Sequence, residues 1–192
     1  MDIQLTWDLF ILVFFVVIVA YSLIIGQNNT LKVILGTYVA MIAADATGSL
    51  FAKYFAGSPA FNKILSFAQI GTEEEAIIFV KVLVFVGLVI LFAVRGAFEV
   101  DAVEDRSAIV RMILTGVYAC MSAGLIISTI LTFVSGVSFV GGGSPETTST
   151  ALWDIYNSSK IVRSIVGNSY LWFSVPAVAF LIQSLYSHRK TD

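Results

Sequence analysis

Four stretches of this chain are each about as long as a membrane is thick and almost free of charge, and no other feature limits its folding as strongly. A helix needs about 20 mostly apolar residues to cross about 30 Å of hydrocarbon. Residues 7–25 carry no charge after Asp8, and residues 31–55 carry only Lys32 at their start, Asp45 and Lys53. Residues 76–94 contain Lys81 alone, and residues 113–134 contain no charge. A fifth run, residues 170–186, is uncharged and includes Pro176. Backbone N–H and C=O groups find no water in hydrocarbon, so only helices and closed barrels span it. The alternation of a barrel strand is absent. The sequence therefore predicts an all-α integral membrane bundle of about five transmembrane helices, with two short amphipathic helices beside them.

Polar punctuation separates the spans. Gly26-Gln27-Asn28-Asn29 is short enough to predict a tight helix-to-helix turn. Ala56-Gly57-Ser58-Pro59 breaks the chain after the second span. Phe61, Ile64, Leu65 and Ala68 then recur at helical spacing opposite Asn62, Lys63 and Gln69, until Gly71 ends the stretch. Thr72 and Glu75 have capping-box spacing, and Glu73 to Glu75 complement the positive end of the third helix. Residues 95–107 form a charged connection with Glu99, Asp101, Glu104, Asp105 and Arg106. Gly141-Gly142-Gly143-Ser144-Pro145 and the Ser/Thr run behind it predict a flexible loop over about 136–150. Over about 151–167, apolar Leu152, Ile155, Tyr156, Val162 and Val166 oppose Asp154, Asn157, Ser158, Lys160 and Arg163. That helix is expected in the bilayer interface or folded back on the bundle. No repeat is visible, and residues 1–192 read as one transmembrane domain. No Lys or Arg precedes the first span and no A-x-A-like site follows it, so that span is expected to be retained.

Composition then removes whole classes of function. Charged residues make up 12% of the chain, about half the ordinary share. The net charge is -2, and no basic cluster offers the electrostatic footprint that nucleic-acid binding requires. One cysteine, Cys120, and one histidine, His188, exclude a zinc site built from Cys and His, an intrachain disulfide and a Ser-His-Asp arrangement. The Gly141–Gly143 run has no preceding strand and no Gly-Lys-Ser/Thr end, so it is not a phosphate loop. No enzyme and no cofactor are expected. The expected partners are the lipid bilayer and a second copy of the chain or another membrane protein.

Two candidate features remain. Gly36, Ala40, Ala44, Gly48 and Ala52 place a small residue every fourth position along the second span, and Gly116, Cys120 and Gly124 repeat the pattern in the fourth. Such stripes let backbones approach closely where lipid gives no hydrophobic drive for association. The expectation is packing between helices of one chain, with packing between copies as the second reading. Cys120 is expected to be a packed thiol. Asp45 is the second feature, about 15 Å inward from Phe55 along its helix. Lys81 lies about 7.5 Å past Ala76 on a span returning from the same side. Asp45 can pair with Lys81, accept hydrogen bonds from Thr47, Ser49 or Tyr38, or relay a proton or ion. Trp7, Trp153, Tyr170, Trp172 and Tyr186 lie near span ends, where aromatic rings anchor at the interface.

The layout of residues 7–134 resembles the colicin V production protein family of bacterial inner-membrane proteins. The shared features are a span starting near the N-terminus, a short turn into a Gly/Ala-rich second span, a third span, a charged connection with Asp105-Arg106 and a small-residue-rich fourth span. The resemblance implies an envelope role in toxin export or envelope homeostasis, and it transfers no site residue. Lys32, Arg95, Arg106, Arg111, Arg189 and Lys190 fall on the side with the short connections, against Lys53, Lys63, Lys81, Lys160 and Arg163 on the other. The positive-inside rule then favours an outside N-terminus and a cytoplasmic C-terminus. A small oligomeric transporter or channel using Asp45 is the competing expectation.

Overall fold

The computed structural model describes residues 7–55, 58, 72–95, 108–135, 139 and 159–188. Among these residues every regular element is helical. In chain order they are α1 (Trp7–Phe55), α2 (Glu73–Arg95), α3 (Ala108–Val134), α4 (Lys160–Gly167) and α5 (Ser169–His188). Three helices are long and apolar enough to cross a membrane: Asp8–Phe55, Glu73–Arg95 and Arg111–Val134. The α4–α5 pair, bent by 53°, makes a fourth if it is taken as one span.

Straight, the 49 residues of α1 would reach about 73 Å, more than twice the thickness of hydrocarbon. The helix instead folds on itself at Gly26, whose φ of 80° and ψ of 175° belong to a region essentially reserved for glycine. Thr30 Oγ1 lies 3.0 Å from Ser22 O and 2.8 Å from Gly26 O, while Asn29 Nδ2 donates to Ile25 O at 3.0 Å. These side chains take up carbonyls that the break in the helix ladder frees. Phe14 and Val33 would be about 28 Å apart on a straight helix, yet they wall the same cleft. The two arms, 7–25 and 27–55, therefore lie side by side.

The second arm is the axis of the bundle. Gly36 faces Phe92 and Asp45 faces Lys81, so α2 runs antiparallel to it. Leu31 and Ile34 cluster with Tyr118 and Leu125, and Met41 meets Thr129, so α3 runs parallel to it. Val33, Ala40, Met41, Ala44, Phe85, Ile126 and Phe133 form the central apolar cluster. The rings of Phe85 and Phe133 meet edge to face at 5.8 Å. Outward-facing Val16, Val17, Ile24, Ile42, Leu83 and Ile90 are all exposed, as lipid-facing positions of a bundle should be.

Several sequence expectations shift by a turn or more. The third and fourth helices begin at Glu73 and Ala108, earlier than 76 and 113, because polar first turns extend apolar spans. Thr72 Oγ1 accepts from the Glu75 N–H at 3.2 Å, which makes Thr72 the cap of α2. Of the helix expected over 151–167, the described part is Lys160–Gly167, which begins after Ser159, an extended N-cap. It folds back on the bundle, with Val162 and Ile165 buried against Ile11, Ile127 and Leu131. Within the expected flexible loop, Phe139 is held edge to face by Phe133 at 5.8 Å and by Phe173 at 5.5 Å, so the loop starts from an anchored ring. The remainder of that loop, the amphipathic stretch 61–71, the connection 96–107 and residues 151–158 lie outside the described residues.

A Cβ at position 26 would strain the backbone at the turn. Gly26→Ala is expected to lower unfolding stability by about 1–3 kcal/mol, read by steric-trap or denaturant unfolding in bilayers or detergent. Unchanged stability would mean that the chain does not reverse there.

Candidate functional site

Charge is scarce in the bundle, and where it occurs at depth it is paired. Lys81 Nζ donates to Asp45 Oδ1 at 2.6 Å. Asp45 is fully buried and Lys81 is 6% exposed. Thr47 Oγ1 donates to Ala43 O at 2.7 Å, Ser49 Oγ donates to the backbone O of Asp45 at 3.0 Å, and the Tyr38 hydroxyl donates to Phe173 O at 2.5 Å. Those hydroxyls serve the backbone, and the Asp45 carboxylate is met by the ammonium. The face of Phe133 lies 5.9 Å from Lys81 Nζ, which adds a cation–π contact on the far side of the ammonium.

Gly48 makes room for this pair. A Cβ there would lie 2.3 Å from Lys81 Cγ and 2.6 Å from Lys81 Cε. Gly36 likewise receives Phe92, and Gly124 receives the indole of Trp172. The stripe in the second arm packs between helices of one chain, and its glycines Gly36 and Gly48 accept large side chains from α2. Ala40 and Ala44 are fully buried in the same interface, and Ala52 is half-buried. The shorter stripe packs within the chain at Gly124 alone. A Cβ on Gly116 would meet nothing within 4 Å, and Cys120 is exposed. Both lie on the outer side of α3, because the face buried between α1 and α5 is set by Tyr118, Ala119, Ser122 and Ala123.

Three further features carry no local sequence signal. Asp8 accepts from the Ser159 hydroxyl and from the Ile161 N–H at 3.2 Å, while Ser159 Oγ accepts from the Val162 N–H at 3.0 Å. A carboxylate at the start of α1 thus holds the N-terminus of α4, where the helix dipole favours it. Pro176 is buried inside α5 and cannot donate to the carbonyl one turn back. The Tyr38 hydroxyl supplies a donor to the neighbouring carbonyl of Phe173. Trp172, expected at the interface, lies instead against Gly124, with its Nε1 buried and without a partner among the described residues. Tyr170 is exposed. The side chains of Trp7, Trp153 and Tyr186 lie outside the described residues.

Clefts of about 400, 450 and 250 Å³ indent the bundle, and neither Asp45 nor Lys81 lines any of the three. Among the described residues, no group of three His, Cys, Asp or Glu side chains could hold a metal ion. Chemically the central pair is a neutralised, enclosed charge pair. The fold defines a class, a helical bundle with several helices able to cross a membrane. No family model matches the chain, and no curated protein or solved structure matches it either.

The glycine clearances are directly testable. Gly48→Ala forces the Lys81 stem to move and is expected to cost about 1–3 kcal/mol of stability. Gly116→Ala meets open space and is expected to be neutral or to stabilise by up to about 1 kcal/mol. Equal effects of the two changes in unfolding measurements would contradict the placement of Lys81.

Proposed function

We propose that this chain is a five-span membrane protein acting as a scaffold or accessory subunit of the cell envelope, without catalytic chemistry of its own. Each arm of α1 is counted as one crossing, and α2, α3 and the α4–α5 pair supply the rest. The observation that carries this reading is the closure of its central charge pair. Asp45 is fully buried and bonded to Lys81, which is how a bundle tolerates a carboxylate in hydrocarbon. A relay needs a path for water or ions to that carboxylate.

The resemblance in layout to colicin V production proteins supports the same reading and would place the protein in a bacterial inner membrane, in toxin export or envelope homeostasis. With five crossings the termini lie on opposite sides. Lys32, Arg95 and Arg111 then fall at one end of the bundle, and the positive-inside rule favours that end, with the C-terminus, as cytoplasmic. Association with a second copy or another membrane protein is part of the scaffold role.

One observation favours a small oligomeric transporter or channel instead. The α4–α5 pair is broken and bent by 53°, and broken helices often mark transport sites. Proteoliposomes separate the two readings. The scaffold predicts proton and cation flux no greater than in empty vesicles, for both the wild type and Asp45→Asn. Flux that Asp45→Asn abolishes would replace the scaffold with the transporter.

A further inference from the structure

The cleft of about 400 Å³ between the first arm of α1 and α2 reaches from the middle of the bundle to the end where α1 turns. Phe14, Phe85 and Ile126 form its inner end, and Ser22, Val33 and Val94 its outer end. Its walls are apolar almost throughout. The exceptions are Tyr21 and Ser22; Ser22 is 1% exposed and its hydroxyl has no partner among the described residues.

Two cations stand at the outer end. Gly36 faces Phe92 across the helix pair. Lys32 lies one turn from Gly36 on the same side of its helix, and Arg95 lies one turn beyond Phe92 on the facing side of α2. The register therefore puts Lys32 and Arg95 at the same level of the helix pair, one residue from Val33 and Val94 in the cleft wall. The described acids, Asp8, Asp45 and Glu73 to Glu75, lie in the bundle or at its opposite end. Two cations at one level beside the cleft mouth attract an anion.

We propose that this cleft binds an anionic phospholipid of the adjoining leaflet. One acyl chain lies between the first arm and α2, and the phosphate sits between Lys32 and Arg95. Basic pockets between helices bind anionic headgroups in this way, and a guanidinium suits phosphate geometry. Ser22 places a hydroxyl donor just inside the cation pair, at the depth of the lipid's ester carbonyls. The inference does not depend on the scaffold role, since a lipid site serves a transporter equally well.

The test uses the full chain, stripped of lipid in detergent and titrated with phosphatidylglycerol or phosphatidylcholine of identical acyl chains, with retention read by native mass spectrometry. Phosphatidylglycerol is expected to bind at least about tenfold more tightly. Lys32→Gln with Arg95→Gln, both outside the core, should abolish that preference, lowering phosphatidylglycerol retention more than that of phosphatidylcholine, whose choline offsets its phosphate. Val89→Trp, which fills the cleft, should reduce retention of both lipids. Equal affinity for the two lipids in the wild type would overturn the proposal. A preference that survives the double substitution would overturn it as well.

Discussion

A carboxylate and an ammonium inside hydrocarbon are each prohibitively costly alone, stripped of water, and tolerable only as a pair, and the rest of this bundle is arranged around that fact. Asp45 and Lys81 come from helices that run in opposite directions, so their contact fixes the register of α2 against the second arm of α1. Removing one partner of a buried pair typically costs about 3–5 kcal/mol, because the other charge is left unpaired. Replacing both with apolar residues can cost little. The pair therefore specifies the arrangement more than it supplies stability. Gly48 and Phe133 enclose the ammonium from two further sides and tie α3 to the same point.

The same economy governs the backbone. Each carbonyl freed by a turn, a break or a proline in this environment needs a donor. Asn29 and Thr30 supply donors at the Gly26 reversal, and Tyr38 supplies one beside Pro176. Asp8 and Ser159 meet the N–H groups that begin α4. Four of these five residues sit on α1. The longest helix thus carries the central charge pair and also repairs the irregular ends of its neighbours.

Much of this was legible in the sequence. The spans follow from run length, since few soluble segments stay uncharged for 20 residues. The Asp45–Lys81 pairing follows from depth arithmetic on two antiparallel helices. What packs against the small residues did not follow. Spacing identifies a face but cannot tell whether a backbone or a lysine stem lies against it, and Gly116 and Cys120 share the spacing without sharing the interface. The link between Asp8 and Ser159 spans 151 residues of chain and has no local signature. Trp172 sits near a span end by position, yet the bend at Asn168 carries it to Gly124.

The central claim, that Asp45 and Lys81 form a closed structural tie, is tested most directly by a double-mutant cycle in a bilayer-compatible unfolding assay. Asp45→Asn, Lys81→Met and the combination are compared with the wild type. The account predicts that each single change destabilises the fold and that the double variant recovers much of the loss, with a coupling of about 1–3 kcal/mol. Additive effects, with coupling below about 0.5 kcal/mol, would show that the two residues are not partners in the folded protein and would contradict the account.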